Sequence, residues 1–139
     1  MTRAFLDANV IFAAAISPSG LSARLLDFAG EHSLLTSPHV IEEARRNVVA
    51  RYADSTERLR GLVLPRLEPV GEAAGELITW ARQQGLPEMD APVLAAAVQA
   101  DADILVTGDR THFGALFGKR LRGVEVVTLR QAVERLGGS

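Results

Sequence analysis

Apolar residues along the 139-residue chain follow two alternating patterns, short continuous runs and longer stretches with helical spacing. The short runs predict β-strands at RAFLD, SLLTS, DILVTGD and VEVVT, with a weaker strand at RLEPV. Helical spacing predicts helices at SGLSARLLDFAGEH, STERLRGLVL, EAAGELITWARQQG, DAPVLAAAVQA and LRQAVERL, and another from Ser37 to about Tyr52. Strands that alternate with helices are typical of a mostly parallel sheet. We therefore predict a three-layer α/β/α fold with a central parallel sheet, forming one domain over residues 1–139.

Several predicted helices carry recognisable end signals. Ser37 is a predicted helix cap with Pro38 in the first turn, and Thr128 with Gln131 has the spacing of a capping box. Gly85 is predicted to close the helix that precedes it. The segment DAPVLAAAVQA is apolar on nearly every side, so we expect this helix to be buried.

Composition narrows the class of protein. Apolar residues make up 47% and charged residues 23%, as in ordinary globular domains, and no run reaches the roughly 18 apolar residues of a membrane helix. We expect a cytoplasmic protein. The chain has no cysteine, which excludes disulfides, thiolate zinc sites and cysteine nucleophiles. The net charge of -2 argues against a strongly basic nucleic-acid binder but permits a local positive patch.

Four acidic residues stand where strands end or where an apolar segment is interrupted. Asp7 follows the first strand and lies among apolar residues, and Asp109 follows the strand ILVTG. Asp90 precedes the buried helix, and Glu43 lies in the helix that begins at Ser37. Taken singly, Asp7 and Asp109 also suit turns. Asp90 also suits a helix cap, and Glu43 a solvated helix face. No one of them identifies a site by itself.

The predicted topology brings these four carboxylates toward one edge of the sheet. The carboxyl ends of parallel strands form the ligand-binding edge of such folds. Carboxylates that converge repel one another unless a cation neutralises them, and Mg²⁺ or Mn²⁺ is the hard cation that oxygen ligands favour. Such a metal activates water and stabilises the oxygens of a phosphoryl displacement. The sequence therefore predicts metal-dependent phosphodiester chemistry.

Four sequence blocks resemble, in order and spacing, those of the PIN domain, a family of metal-dependent ribonucleases. The blocks are FLDANV with Asp7, SPHVIEE with Glu43, DAPVLAAA with Asp90 and ILVTGDRTHF with Asp109. The resemblance extends across essentially the whole chain. It implies a sheet of strand order 3-2-1-4-5, with the first and fourth strands side by side, and it implies an RNA substrate and a Mg²⁺ or Mn²⁺ cofactor.

The resemblance also implies a role for each matching acid. Asp7, Asp90 and Asp109 are the implied metal ligands, directly or through water. Glu43 is implied to complete the pocket and to orient the nucleophile. Similar sequences often carry further acids near the third block, where this chain has LPEMDAP. Glu88 is therefore an alternative or a helper to Asp90, although Asp90 fits the helix register better.

Polar and basic residues near these blocks have expected roles as well. Asn9 and Thr107 are expected to hold carboxylates or a substrate phosphate in place, and turn formation explains either residue equally well. His112 is assigned a packing or turn role, because a water on a metal needs no separate general base. RNA phosphates are expected to contact some members of a basic set, Arg45, Arg46, Arg110, Lys119, Arg120 and Arg122.

A chain of this size resembles the toxin half of bacterial toxin–antitoxin pairs within the PIN family. The resemblance implies an antitoxin protein whose segment fills the acidic groove, with an arginine or lysine that replaces the charge of the metal. It also implies a homodimer, for which we expect Leu59, Leu62 and Val63 to be exposed apolar residues of the interface.

Other classes of protein fit the sequence less well. Haloacid-dehalogenase-like phosphatases need a second aspartate where this chain has Asn9, and a further acid where it has Phe113. Receiver domains need a phosphoacceptor aspartate after the third strand, and RLEPVGE offers none. The alternative that stands is a catalytically silent PIN-like module that binds RNA or protein.

Overall fold

The computed structural model describes residues 1–138, which form six strands and seven α-helices. In chain order these are β1 (Arg3–Leu6), α1 (Ala8–Ile16), α2 (Leu21–Leu26), β2 (Ser33–Thr36), α3 (Pro38–Arg51), α4 (Thr56–Arg58), β3 (Glu68–Pro69), α5 (Gly75–Arg82), α6 (Ala91–Gln99), β4 (Ile104–Val106), β5 (Arg120–Leu121), β6 (Val124–Val127) and α7 (Leu129–Gly137). Helix α4 belongs to a helical stretch of changing pitch over residues 53–66. None of the helices within residues 1–138 has the length and apolar character needed to span a membrane.

The strands form one sheet in the order β3-β2-β1-β4-β6-β5. Every neighbouring pair is parallel except β5 and β6, which form an antiparallel hairpin. The five parallel strands have the predicted order 3-2-1-4-5 when β6 is counted as the fifth, so the predicted fold class is confirmed. Strand β5 is a two-residue addition at the edge, too short to give a periodic signal. Central β1 places Phe5 opposite Leu35 of β2 and Leu105 of β4.

The core surrounds the central strands and helix α6. Strands β2 and β4 are buried along their whole length, and β1 is buried except at its first residue. Such strands read as continuous apolar runs because both of their faces are covered. In α6, Ala91 and every residue from Val93 to Ala97 are buried, as the all-round apolar sequence predicted. Helix α6 is therefore internal, and the residue that precedes it, Asp90, is held close to the core.

Helix α1 is an element that the sequence pattern did not separate from β1. The segment ANVIFAAAI is apolar at nearly every position, so apolar and polar residues do not alternate in it with the helical period of 3.6 residues. In the structure Asp7 has extended backbone angles, and its side chain accepts a hydrogen bond from the Ala8 N–H. Asp7 thus ends the strand and starts the helix.

The helix ends follow the predicted signals in most places. The Ser37 hydroxyl accepts from the Val40 N–H at 3.3 Å at the start of α3. Both hydrogen bonds of the predicted capping box, between Thr128 and Gln131, form at the start of α7. Gly85 lies three residues beyond α5 with a φ of +93°, which favours glycine. Helix α2 ends at Leu26, earlier than predicted, because the following N–H groups bond to carbonyls three residues back. Helix α5 begins at Gly75, later than predicted.

The apolar residues expected at a dimer interface are mostly buried. Leu59 and Val63 are 2% and 0% exposed, so the prediction that they lie on the surface was wrong. The two residues are four positions apart, so both lie on one face of the helical segment Leu59–Val63, and that face packs against the core. Leu62 lies between them and is 36% exposed. Val49 and Tyr52, at the end of α3, are also large apolar residues on the surface.

Candidate metal centre

Asp7 lies at the junction of β1 and α1 and is only 3% exposed. Its N–H continues the sheet by donating to the Val106 carbonyl at 3.0 Å. Its Oδ1 accepts from the Ala8 N–H at 2.7 Å, and its Oδ2 accepts from the Thr107 hydroxyl at 2.8 Å and the Asn9 amide at 3.2 Å. Burial raises the pKa of the Asp7 carboxyl to about 6, although the bonds from Thr107 and Ala8 oppose the rise. This carboxylate is therefore fixed in position and poorly solvated.

Thr107 and Asn9 join the ends of β1 and β4. The Thr107 hydroxyl, which donates to Asp7, also accepts from the Asp109 N–H at 3.1 Å. The Asn9 side-chain oxygen accepts from the Gly108 N–H at 2.7 Å, while its amide nitrogen donates to Thr107 Oγ1 at 3.3 Å. A Cβ on Gly108 would lie 3.3 Å from the Asn9 oxygen, so the absent side chain permits this close approach. The network sets the position of Asp109 relative to Asp7.

Asp109 and His112 are held together by a tight turn after β4. Asp109 Oδ1 accepts from the Thr111 N–H at 3.1 Å and the His112 N–H at 2.9 Å. Asp109 Oδ2 lies 2.8 Å from His112 Nδ1, and the same nitrogen lies 3.0 Å from Asp90 Oδ2. Asp90, Asp109 and His112 thus present one ligand atom each, all within 4.8 Å of one another.

Asp90 occupies the residue before α6, yet its side chain makes no capping hydrogen bond. Helix capping therefore does not account for the orientation of its carboxylate. The side chain is 14% exposed and faces His112 instead. Burial raises the pKa of Asp90, the negative charge of Asp109 raises it further, and His112 opposes both effects. Asp90 is thus part of a cluster whose negative charges are in conflict.

Glu43 reaches the same cluster from helix α3. Burial is the main cause that raises the pKa of Glu43, the charges of Asp90 and Asp109 add to it, and His39 partly offsets the rise. Glu43 and Asp90 in turn raise the pKa of Asp7. Together with the contacts of Thr107 with Asp7 and Asp109, and of His112 with Asp90 and Asp109, these effects indicate that β1, α3, α6 and the loop after β4 contribute to one acidic centre.

His112 has a contact that the sequence did not predict, and Glu88 lies outside the centre. His112 contacts two carboxylates of the centre, a role beyond the packing or turn role assigned from the sequence. Its one sequence signal was the three-residue spacing after Asp109 in TGDRTH. Glu88 instead forms an ion pair with Arg82 at 2.8 Å, and its side chain is 76% exposed. Asp90, rather than Glu88, therefore faces the other acids.

The basic residues expected to contact RNA differ in whether they have a partner within the described residues 1–138. Three of them have partners within the chain: Arg45 with Glu42, Arg120 with Glu125, and Arg122 with the Trp80 ring at 4.6 Å. Arg46 and Arg110 form no ion pair within 4 Å among residues 1–138. The predicted rim is thus divided between paired and unpaired cations.

The side chains of the acidic centre fit a divalent cation. Two carboxylates and one imidazole within 4.8 Å of one another form a ligand set that Mn²⁺ and related divalent metals accept, and the carboxylates alone suit Mg²⁺. Asp7 and Glu43 add two further carboxylates whose pKa values are raised by burial. A cation would relieve the repulsion among these groups, because it favours their charged forms.

The structure is thus that of an α/β protein with an acidic centre beyond the carboxyl ends of its central strands. The sequence model of the PIN domain matches residues 3–111, most of the chain. The chain therefore belongs to the PIN domain family, as its four sequence blocks predicted.

Several solved structures have a similar fold. PAE2754 from Pyrobaculum aerophilum has a TM-score of 0.73 at 16% identity, covering 99% of this chain and 97% of that chain. VapBC2 from Rickettsia felis, bound to a DNA fragment from their promoter, has a TM-score of 0.67 at 21% identity, covering 90% and 97%. VapC20 from Mycobacterium tuberculosis, a sarcin-ricin loop cleaving toxin, has a TM-score of 0.61 at 15% identity, covering 81% and 94%. Comparison with curated protein sequences gives no significant match.

Proposed function

We propose that this protein is a metal-dependent ribonuclease that hydrolyses RNA phosphodiester bonds and acts in the cytoplasm as the toxin of a toxin–antitoxin pair. The observation that carries the proposal is the acidic centre formed by Asp7, Glu43, Asp90 and Asp109. Grouped and partly buried carboxylates are costly unless a cation binds them, and metal-bound carboxylate sites suit phosphodiester hydrolysis. Membership of the PIN domain family supports the same chemistry.

In this proposal Asp7, Asp90 and Asp109 hold Mg²⁺ or Mn²⁺, directly or through water, and His112 is a further ligand. A bound cation would neutralise the acids and make the phosphorus of the substrate more open to attack. Thr107 keeps the Asp7 carboxylate oriented through the bond that it donates at 2.8 Å, as outer groups of metal centres commonly do.

Glu43 is proposed to orient the attacking water and to accept its proton. Burial and the neighbouring negative charges raise the pKa of its carboxyl, which makes the carboxylate a better proton acceptor than an exposed glutamate. The water oxygen would then form a bond to phosphorus while the ribose oxygen on the opposite side leaves with the electron pair of the broken bond.

The test compares wild-type protein with Asp7→Asn on a panel of labelled RNAs with Mg²⁺ or Mn²⁺. Glu88→Gln is the matched control, because it removes a neighbouring acid that lies outside the centre. We expect EDTA to abolish cleavage, Asp7→Asn to lower it at least about 100-fold, and Glu88→Gln to leave it unchanged. Equal cleavage by wild type and Asp7→Asn would reveal a contaminating nuclease and refute the assignment. No cleavage of any RNA would favour the catalytically silent binding module.

An antitoxin is the proposed protein partner. An acidic centre free of metal attracts a cationic side chain, and an arginine or lysine from a partner segment would satisfy several of its carboxylates at once. Proteins of similar fold include VapBC2 bound to promoter DNA and the toxin VapC20, which supports a toxin role here. We expect expression of the wild-type chain alone to arrest bacterial growth, and expression of Asp7→Asn to permit it.

We also propose that the protein forms a homodimer. Val49 and Tyr52, near the end of α3, are 46% and 45% exposed, and Leu62 is exposed as well. Exposed large apolar residues that are close in the chain, as Val49 and Tyr52 are, suit an interaction surface. Sedimentation equilibrium should give twice the mass of the chain, and the double change Val49→Glu with Tyr52→Glu should give the monomer.

A further inference from the structure

Most arginines of this chain have a partner within the chain, and a minority do not. Of the 14 arginines, ten contact a carboxylate, a backbone carbonyl or an aromatic ring. Among residues 1–138, no such contact is made by the remaining four, Arg24, Arg46, Arg110 and Arg130. Where these four lie on the surface indicates which region has positive charge available for a ligand.

Three of the four line one surface groove. The groove consists of two adjoining cavities, of about 280 Å³ and about 570 Å³. The smaller is lined by Thr107, Arg110 and Arg130, and the larger lies between α2 and α7 and is lined by Arg24 and Arg130. Leu21 and Arg130 belong to both cavities, so the groove is continuous.

The smaller cavity lies next to the acidic centre, and Thr107 and Gly108 are the residues that connect the two. Thr107 in its wall donates to the Asp7 carboxylate at 2.8 Å, and Gly108 beside it donates to Asn9 at 2.7 Å. A polymer with one bond at the centre could therefore extend into the adjacent groove. The two arginines on α2 and α7 extend the positive charge away from the centre along the larger cavity.

The charge of the groove differs from that of the whole molecule. Among the described residues that line it, three arginines face a single acid, Glu134, whereas the chain has a net charge of -2. The acidic centre itself repels a phosphodiester backbone, so binding energy for RNA has to come from cations beyond the centre. The groove supplies those cations beside the bond that would be cut.

We infer that this groove holds single-stranded RNA on one side of the cleaved bond, with phosphates that contact Arg110, Arg130 and Arg24 in that order away from the centre. The inference rests on the proposed ribonuclease function. Guanidinium groups match phosphate oxygens in charge and in their two-pronged geometry. Phe117 and Phe28, both partly buried, lie in the walls of the smaller and larger cavity and offer rings on which bases stack.

RNA fits this surface better than an acidic protein segment does. The groove adjoins the centre, so a strand whose cleaved bond lies at the centre would also occupy the groove. The two aromatic rings also lie beside the arginines, an arrangement that suits alternating phosphates and bases. An acidic peptide is the competing ligand that the experiment includes.

The experiment measures binding of a fluorescein-labelled 12-nucleotide single-stranded RNA by anisotropy, with the full chain in EDTA. The variants are Arg24→Gln, Arg130→Gln and the double change, and Arg60→Gln is the control. Arg60 is exposed, lies outside the groove and pairs with Glu57. We expect the double change to weaken binding at low salt about tenfold or more. The slope of log K against log salt should fall by about 0.7 for each lost arginine. Arg60→Gln should stay within about twofold of wild type.

Three outcomes would overturn the inference. The first is a double variant that binds RNA as tightly as Arg60→Gln does. The second is a wild-type protein that binds no RNA. The third is a wild-type protein that binds a poly-glutamate peptide through the same two arginines in preference to RNA, which would assign the groove to an acidic protein. Thermal melts check that the exposed changes at Arg24 and Arg130 leave the fold intact.

The same variants separate this inference from the ribonuclease proposal. If wild type cleaves RNA with Mn²⁺ and the double change alters neither binding nor KM, the groove assignment fails and the ribonuclease stands. If binding depends on the two arginines and no RNA is cleaved with any metal, the groove assignment stands and the ribonuclease fails.

Discussion

Replacing Asp7 with asparagine should stabilise the protein when no metal is present. Burial raises the pKa of Asp7 to about 6 from an ordinary value of 3.8, so the folded state binds this proton more tightly than the unfolded state does. The free energy of unfolding therefore falls as the pH rises from about 4 to about 6. Above that range the ionised carboxylate destabilises the fold by about 3 kcal/mol. Asparagine carries no charge and avoids this cost.

The substitution also removes favourable contacts. An amide nitrogen cannot accept the hydrogen bonds that Asp7 Oδ2 accepts from Thr107 and Asn9, and this loss costs about 1–2 kcal/mol. The remaining oxygen still accepts from the Ala8 N–H. We therefore expect a net gain of about 1–2 kcal/mol at pH 7.5, which corresponds to a rise in Tm of about 3–7 °C for a chain of this length.

The assay is a thermal melt followed by circular dichroism in EDTA, at pH 7.5 and at pH 4. At pH 7.5 the variant should melt above wild type. At pH 4 the Asp7 carboxyl of wild type is protonated, so the order should reverse, because only the loss of hydrogen bonds then separates the two proteins. Saturating Mn²⁺ at pH 7.5 should raise the Tm of wild type and leave that of the variant nearly unchanged.

Asp54→Asn is the matched control, because this aspartate is exposed. It should change the Tm little and by a similar amount at both pH values. If Asp7→Asn lowers the Tm equally at pH 7.5 and pH 4, then burial does not hold the pKa of Asp7 above its ordinary value. The explanation of the acidic centre by conflicting charges would then be refuted.

Three further changes test the rest of the centre. His112→Ala should lower Mn²⁺ affinity in isothermal titration about tenfold or more, because it removes one of three clustered ligand atoms; unchanged affinity would show that the imidazole is no ligand. Thr107→Val should lower the unfolding free energy in urea by about 1–3 kcal/mol, since the buried Asp7 carboxylate loses a donor; an unaltered midpoint would contradict the network. Glu88→Gln should leave Mn²⁺ affinity within about twofold, and a larger loss would return Glu88 to the centre.

The features that sequence could predict are those set by local chemistry. The spacing of apolar residues and the helix-end signals located the central strands, the buried helix α6 and the caps at Ser37 and Thr128. Each of these features depends on neighbours within a few residues. Helix α1 gave no periodic contrast, since the surrounding layers bury it on most sides. Leu59 and Val63 lie on one face of a helical segment, and the packing of that segment against the core determines that this face is buried.

Some residues of the acidic centre could likewise be placed from the sequence, and others only from the packing of the fold. Asp7 and Asp109 follow strands, so the sheet order alone brings them to one edge. The choice between Asp90 and Glu88 depends on which carboxylate faces His112, a direction set by how α6 packs. Which arginines lack a partner among the described residues also depends on the tertiary structure. Fourteen arginines look equivalent in the sequence, and ion pairs made across the fold leave Arg24, Arg110 and Arg130 available.

Because its carboxylates repel one another, the folded protein should be more stable with its proposed metal cofactor bound than without it. Asp7 is buried in a network of fixed donors, and the repulsion from Glu43 and Asp90 adds to the cost of its charge. A cation that binds the folded centre and not the unfolded chain removes this repulsion and stabilises the folded state by mass action. An arginine or lysine that a partner protein places in the centre would also stabilise the folded state, because it neutralises the carboxylates. The residues that make the centre able to bind a metal therefore also make the metal-free protein less stable than its packed core alone would allow.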